Sequence, residues 1–343
     1  MNKLRLTCAG LDYWDRSRGL LDGSVKPTGI DLNYLIVPPG ELFRRTAQFA
    51  EFEVSEFSMS TYTALYARGD RRFVAIPVFP SRNFRHGYLW INTRAGIDKP
   101  EDLKGKRIGV PEYQMTAALW IRAVLEHDYG VKPSDMHWRT GGLWSPGYEE
   151  RAELDLPSDV ELIVIPEDRY LEEMLDAGDI DALFSPARPG SFVAGEDKVK
   201  RLFPNFREVE KDYFKRTGFF PIMHTVVIRR EIYEANRWIA MSLFEAYENV
   251  KRRAHQRLIS TGSLTVSLPW LADDLDEIEE TFGGQDPFIY GIGPNRKILE
   301  TMIDYSVEQG LATRKVELEE LFAEECFGEL ESKPHPGFSQ NNG

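Results

Sequence analysis

The chain has 343 residues, 42% of them hydrophobic and 12% aromatic, which is enough apolar side chain for two packed domains and too much for a disordered protein. A formal net charge of -13, with no basic stripe to offset it, argues against nucleic acid as a partner. No uninterrupted apolar run is long enough to span a bilayer, so no membrane partner is expected.

Residues 1–7 lead directly into a strand pattern without an apolar signal core, which predicts a cytoplasmic protein. The two cysteines, Cys8 and Cys326, sit in unrelated contexts and read as free thiols in a reducing compartment. Strand patterns at 4–9, 30–37, 54–57 and 73–79, the last interrupted near Pro77, alternate with helical patterns at 40–50 and 60–68. This predicts an α/β layer with parallel pairing. A second α/β unit begins near Gly96, with a strand over 106–110 and a helix over 115–125 that is apolar on nearly every side. A strand over 159–165, a helix over 168–177 and a strand over 180–184 continue it, and 141–157, rich in glycine, proline and acids, reads as a long loop or flap. The β-branched run 225–228 leads into one long amphipathic helix, with Ile232, Ala235, Ile239, Leu243, Ala246 and Val250 as its stripe. A later helix opens with Pro294 and ends before Gly310, and 332–343 reads as a polar tail.

These pieces predict an α/β fold of two lobes, each a mostly parallel sheet flanked by helices, joined by two hinge crossings. Residues 1–90 and 226–331 form the first lobe and 91–225 the second. The crossings are expected at 88–93 and 224–229 as paired strands, with a ligand in the cleft where loops of both lobes meet.

Several clusters carry chemistry. The run Phe-Pro-Ser-Arg-Asn-Phe-Arg-His at 79–86 brings together Arg82, Arg85 and His86: an arginine fork suits a carboxylate, and histidine moves protons near neutrality. The alternative is a solvated turn whose arginines pair with surface acids. Ser58, Ser60 and Tyr62 lie at a strand-to-helix junction, which reads as an anion site or as plain helix capping. Glu112, Tyr113 and Thr116 form the matching junction in the second lobe, where Glu112 is either a proton carrier or an acid suited to the helix dipole. Asp12 and Arg16 follow the first strand and either face the ligand or pair with each other. Arg188, between prolines, is a second-lobe anion candidate or a surface arginine. His224, expected opposite His86, is a proton donor or a satisfied core histidine. There is no His-Glu-x-x-His, Cys-x-x-Cys, Walker loop, Gly-x-Gly-x-x-Gly after a strand, or Gly-x-Ser-x-Gly. No cofactor is therefore predicted, while a divalent metal held by scattered ligands stays open.

Leu-Lys-Gly-Lys-Arg-Ile-Gly-Val at 103–110 resembles the start of the second lobe in type II periplasmic-binding-protein folds, particularly those that bind sulfonates and thiamine precursors. Asp12-Tyr13, the 79–86 run, Phe-Pro-Ile-Met-His at 220–224 and Asp-Pro-Phe-Ile-Tyr-Gly at 286–291 resemble the 4,5-dihydroxyphthalate decarboxylase family, from about residue 4 to 327 apart from the 141–157 loop. The resemblance implies removal of one carboxylate from a small dihydroxylated aromatic diacid, leaving a catechol monoacid. On that reading His86 or His224 protonates the ring carbon, and Asp12 or Glu112 takes a hydroxyl proton. Arg82 and Arg85 hold the carboxylate that stays, and lobe closure brings in Arg188 and Thr116. The rival readings are a solute-binding protein, an enzyme of the thiamine-precursor type and a cytosolic sensor of a small organic anion. A homo-oligomer is left open.

Overall fold

A computed structural model describes residues 3–147, 154–259 and 264–328. The expected tail and the middle of the 141–157 loop lie outside the described residues. Four strands precede the first crossing: β1 (Leu4–Gly10), β2 (Ile30–Ile36), β3 (Val54–Ser58) and β4 (Phe73–Ile76). Six follow it: β5 (Leu89–Asn92), β6 (Arg107–Val110), β7 (His137–Thr140), β8 (Leu162–Val164), β9 (Ala182–Phe184) and β10 (Val199–Arg201). After the return comes β11 (His224–Arg229). The sheets run β2-β1-β3-β11-β4 and β10-β5-β9-β6-β7-β8, the two-lobed architecture expected.

In each sheet every strand but one points the same way, and the exceptions are β11 and β5. Both are the first strand after a crossing. The parallel strands end at the edge where the lobes meet, so a chain arriving from the other lobe starts at that edge and must run away from it. His224, the first residue of β11, is accordingly opposite Ser58, the last of β3.

The stretches expected to pair as hinge strands do not pair with each other, since β5 joins the second sheet and β11 the first. The crossings meet slightly earlier, at an antiparallel bridge between Arg82 and Ile222. Met223 N–H donates to Ser81 O at 2.8 Å, and Asn83 N–H to Pro221 O at 3.1 Å. The Thr116–Tyr129 helix is buried from Thr116 to Leu125, as its apolar surface demands, and its Trp120 Nε1 donates to Ile222 O on the crossing at 3.0 Å. The stripe from Ile232 to Val250 belongs to two helices, Arg230–Ala235 and Ile239–Leu258, because the backbone leaves the helical region at Asn236 (φ -148°). Cys8 and Cys326 are free and buried. Among the described residues no helix is long and apolar enough to cross a membrane.

Candidate active site

Two strands of the first sheet, β3 and β11, and the turn after β1 deliver side chains to one place on its lobe-facing edge. Residues directly opposite in an antiparallel pair share a face, so His224 and Ser58, and Val226 and Glu56, lie on one side of β3 and β11. Glu56 is buried; its Oε1 lies 2.7 Å from His224 Nδ1 and accepts from the Tyr13 hydroxyl at 2.8 Å. Its Oε2 accepts the Leu11 N–H at 3.1 Å. The turn that follows β1 is fixed by Ser17, whose Oγ accepts the Tyr13 N–H at 2.9 Å and donates to Leu11 O at 2.8 Å. Burial, followed by the charge of Glu56, pushes the Tyr13 phenol well above its usual range. The His224 ring meets Phe43 edge-on, with centroids 4.7 Å apart, and 17% of its side-chain surface stays exposed.

Sequence reasoning missed Glu56 and Tyr13 as site residues. The signal was an acid in the middle of Val-Ser-Glu-Phe-Ser, a strand that is buried throughout, because a buried charge needs partners.

The hydroxyls expected to grip an anion grip each other across the lobes. Thr116 Oγ1 lies 2.9 Å from Ser58 Oγ and 3.0 Å from Ser60 Oγ, and accepts the Ser60 N–H at 3.1 Å. Ser60 Oγ donates to Gln114 O at 2.5 Å. The structure brings Ser58, Ser60 and Thr116 together as a buried contact between the two helix starts.

Arg82 and Arg85, three residues apart, have opposite fates. Arg82 donates to Ile289 O at 2.8 Å, to the Asn295 side-chain oxygen and, at 3.4 Å, to Phe220 O. Its guanidinium holds chain segments together, so it is not available as a carboxylate fork. Arg85 is only 7% exposed, and its Nε donates to the Met223 sulfur at 3.3 Å. Its two terminal nitrogens make no hydrogen bond among the described residues, yet they are not sealed in the interior. Burial lowers the pKa of each to about 10, which leaves both charged at neutral pH. Arg16 lies between the rings of Tyr13 and Phe288, each centroid 4.3 Å away, and donates to Pro80 O at 2.6 Å. Arg188 is exposed on the loop after β9, within electrostatic reach of Arg201.

Other expectations give way to packing. His86 does not stand opposite His224. It is buried between Phe203 and Tyr213, neither ring nitrogen has a hydrogen bond, and burial lowers its pKa to about 4. Tyr62 donates its hydroxyl to Leu321 O at 2.6 Å inside the first lobe. Tyr113 is buried against Trp138, with the Arg122 guanidinium 3.8 Å from its ring centroid. Asp12 pairs with Arg18, not with Arg16. Glu112 is half-buried on the loop between β6 and the Thr116–Tyr129 helix.

The two sheets and the crossings between them define a two-lobed, periplasmic-binding-protein-like fold. It is similar to the periplasmic aliphatic sulphonate binding protein SsuA of Escherichia coli, with a TM-score of 0.52 and 13% identity, covering 94% of this chain and 99% of that one. A putative sulfonate-binding protein of Methylobacillus flagellatus KT gives a TM-score of 0.55 and 12% identity, covering 94% and 92%. No protein-family model matches the sequence. Two curated proteins do: the 4,5-dihydroxyphthalate decarboxylase of Comamonas testosteroni is 38% identical over 322 residues, which is 94% of this chain and 97% of that protein. The 4,5-dihydroxyphthalate decarboxylase of Pseudomonas putida is 41% identical over 219 residues, 64% of this chain and 84% of that protein. The chain belongs to the 4,5-dihydroxyphthalate decarboxylase family.

Proposed function

We propose that the protein is a carboxy-lyase that decarboxylates 4,5-dihydroxyphthalate between its lobes, releasing CO2 and a catechol monoacid. Family membership supplies the substrate. One structural observation carries the mechanism. An imidazole held by a buried carboxylate follows immediately on Met223, whose sulfur takes only the Nε of a buried guanidinium with both terminal nitrogens unspent. A buried cation with open donors is a receptor for an anion.

In this reading Arg85 takes the carboxylate that stays, and the departing one is left unclamped, because holding it in the ground state raises the barrier. His224 protonates the ring carbon that bears the departing group from Nε2. The hydroxyl para to that carbon stabilises the protonated ring, and the carbon–carbon bond pair returns to the ring as CO2 leaves. One proton enters and one CO2 departs, with no net oxidation or reduction. Glu112 is the acid assigned to the hydroxyl proton, since Asp12 is turned to Arg18. Two free, buried thiols support a reducing compartment and hence the cytoplasm.

The test is to supply 4,5-dihydroxyphthalate and follow both CO2 and binding. The parent protein releases CO2; His224→Gln loses about 10²- to 10⁴-fold in kcat and still binds, whereas His86→Gln keeps its kcat. Binding without CO2 release by the parent protein would replace the enzyme with a receptor for the same anion.

A further inference from the structure

We infer that Glu56 is the positioning residue of this reaction, fixing the tautomer and ring angle of His224 so that Nε2, not Nδ1, faces the space between the lobes. The inference rests on the reading of His224 as proton donor and deepens it.

Three groups converge on the Glu56 carboxylate, and the Leu11 N–H among them can only donate. A carboxylate there is acceptor-only, so it pairs with His224 only if the ring presents a donor. Facing its Oε1 at 2.7 Å, a neutral imidazole must keep its proton on Nδ1, which leaves the Nε2 lone pair on the far side of the ring. Phe43, edge-on to the same ring, limits its rotation.

The carboxylate is itself held from several sides. Gly10 admits the Tyr34 hydroxyl, which a Cβ there would overlap, and Glu56 Oε2 lies in ordinary contact range of the same position. The ionisable groups that face Glu56 are Cys8 on β1, Tyr13 on the following turn, Tyr34 on β2, Tyr247 on the Ile239–Leu258 helix and His224 on β11. Burial, above all, holds the Cys8 thiol up at about 12 and the three phenols above their usual range. None of these four releases a proton near neutrality. Glu56 then supplies the counter-charge to the imidazolium that must form before each proton transfer.

An isosteric amide inverts this arrangement. In Glu56→Gln the Leu11 N–H claims the amide oxygen, which turns the NH2 towards Tyr13 and His224 Nδ1. Nδ1 must then accept, and the neutral ring carries its proton on Nε2.

The experiment is nitrogen NMR on the full chain labelled at histidine, with the His224 signals assigned by their loss in His224→Gln, alongside CO2 release from 4,5-dihydroxyphthalate. The parent protein shows neutral His224 protonated at Nδ1, and Glu56→Gln shows it protonated at Nε2. In Glu56→Gln kcat falls about 100-fold or more with KM within about threefold, and Glu56→Asp, which keeps the charge, recovers about tenfold of that loss. A parent ring protonated at Nε2 overturns the proposal even if Glu56→Gln does not fold. So does a kcat within about threefold of the parent in folded Glu56→Gln. A parent protein that releases no CO2 overturns the reaction assignment, whereas the tautomer judges the hold of Glu56 on His224 irrespective of turnover.

Discussion

Arg85 Nε donates to the sulfur of Met223 at 3.3 Å, so the side chain next to the proposed proton donor anchors the proposed carboxylate receptor. A thioether is a weak acceptor and takes up little of the guanidinium charge, which Tyr88 and Glu210 face without a hydrogen bond. On the proposed reading a substrate carboxylate completes the pair, and charged hydrogen bonds of this kind are worth about 1.5–3 kcal/mol. Arg85→Met, of similar volume, is expected to raise KM for 4,5-dihydroxyphthalate by about 10- to 100-fold, with a smaller change in kcat. Steady-state CO2 release measures both, and an unchanged KM would remove Arg85 from the binding site.

Arg82 is expected to behave in the opposite way. Its donors satisfy carbonyls at Ile289 and Phe220 and the Asn295 side chain, which tie the first crossing to segments more than 130 positions away. Arg82→Met takes the donor from the Asn295 side-chain oxygen and from Phe220 O, while Ile289 O keeps the Asn295 Nδ2 donor at 3.0 Å, at a cost of about 2–4 kcal/mol of stability. The urea midpoint should fall while KM of the folded protein stays within about threefold. A loss of binding at unchanged stability would return Arg82 to the substrate.

That contrast marks what the sequence can carry. β-branched runs such as 225–228 and glycine or proline stops such as Gly69 are local signals, and they place most strands and the buried helices of both lobes to within a few residues. The short strands β7, His-Trp-Arg-Thr, and β10, Val-Lys-Arg, are not legible, because they lack the apolar run that marks equally short strands such as β8 and β9. The two arginines look alike in Ser-Arg-Asn-Phe-Arg-His, and their roles are set by Asn295, 213 positions from Arg82, and by Met223, 138 from Arg85. Glu56 likewise becomes a site residue only when His224, 168 positions on, is laid beside it by the β3–β11 register. Parallel-sheet folds place loops from distant segments side by side at one edge, and a single sequence does not encode which side chains then touch.

Gly10 gives a prediction of close packing. A methyl group there overlaps the Tyr34 hydroxyl and sits 3.0 Å from Tyr34 Cζ. Gly10→Ala is therefore expected to lower stability by about 1–3 kcal/mol, as overpacking in a well-filled core does. Removing the hydroxyl in Gly10→Ala/Tyr34→Phe should restore more than half of that loss, which a double-mutant cycle in urea would read out. Strictly additive losses would mean that the two sites do not meet.

Two buried groups around Gly87, His86 and Glu210, have pKa values shifted in opposite directions. Burial lowers His86 from 6.5 to about 4, so the folded state keeps it neutral where the unfolded chain takes up a proton. Its share of stability is complete above pH 6.5 and is lost as pH falls towards 4. Glu210, which accepts the Gly87 N–H at 3.0 Å, is raised from 4.5 to about 7, also mainly by burial. Its share is complete below pH 4.5 and is lost as pH rises towards 7. Each shift corresponds to roughly 3 kcal/mol, so between pH 4.5 and 6.5 the two slopes oppose and the parent protein should show a nearly flat stability profile. Glu210→Gln keeps an acceptor for the Gly87 N–H but removes the titration, and is expected to expose the acid loss due to His86 as a falling urea midpoint below pH 6.5. His86→Phe should expose the opposite slope, with stability falling as pH rises from 4.5 to 7. Two variant profiles parallel to the parent's would mean that neither group titrates differently in the folded chain.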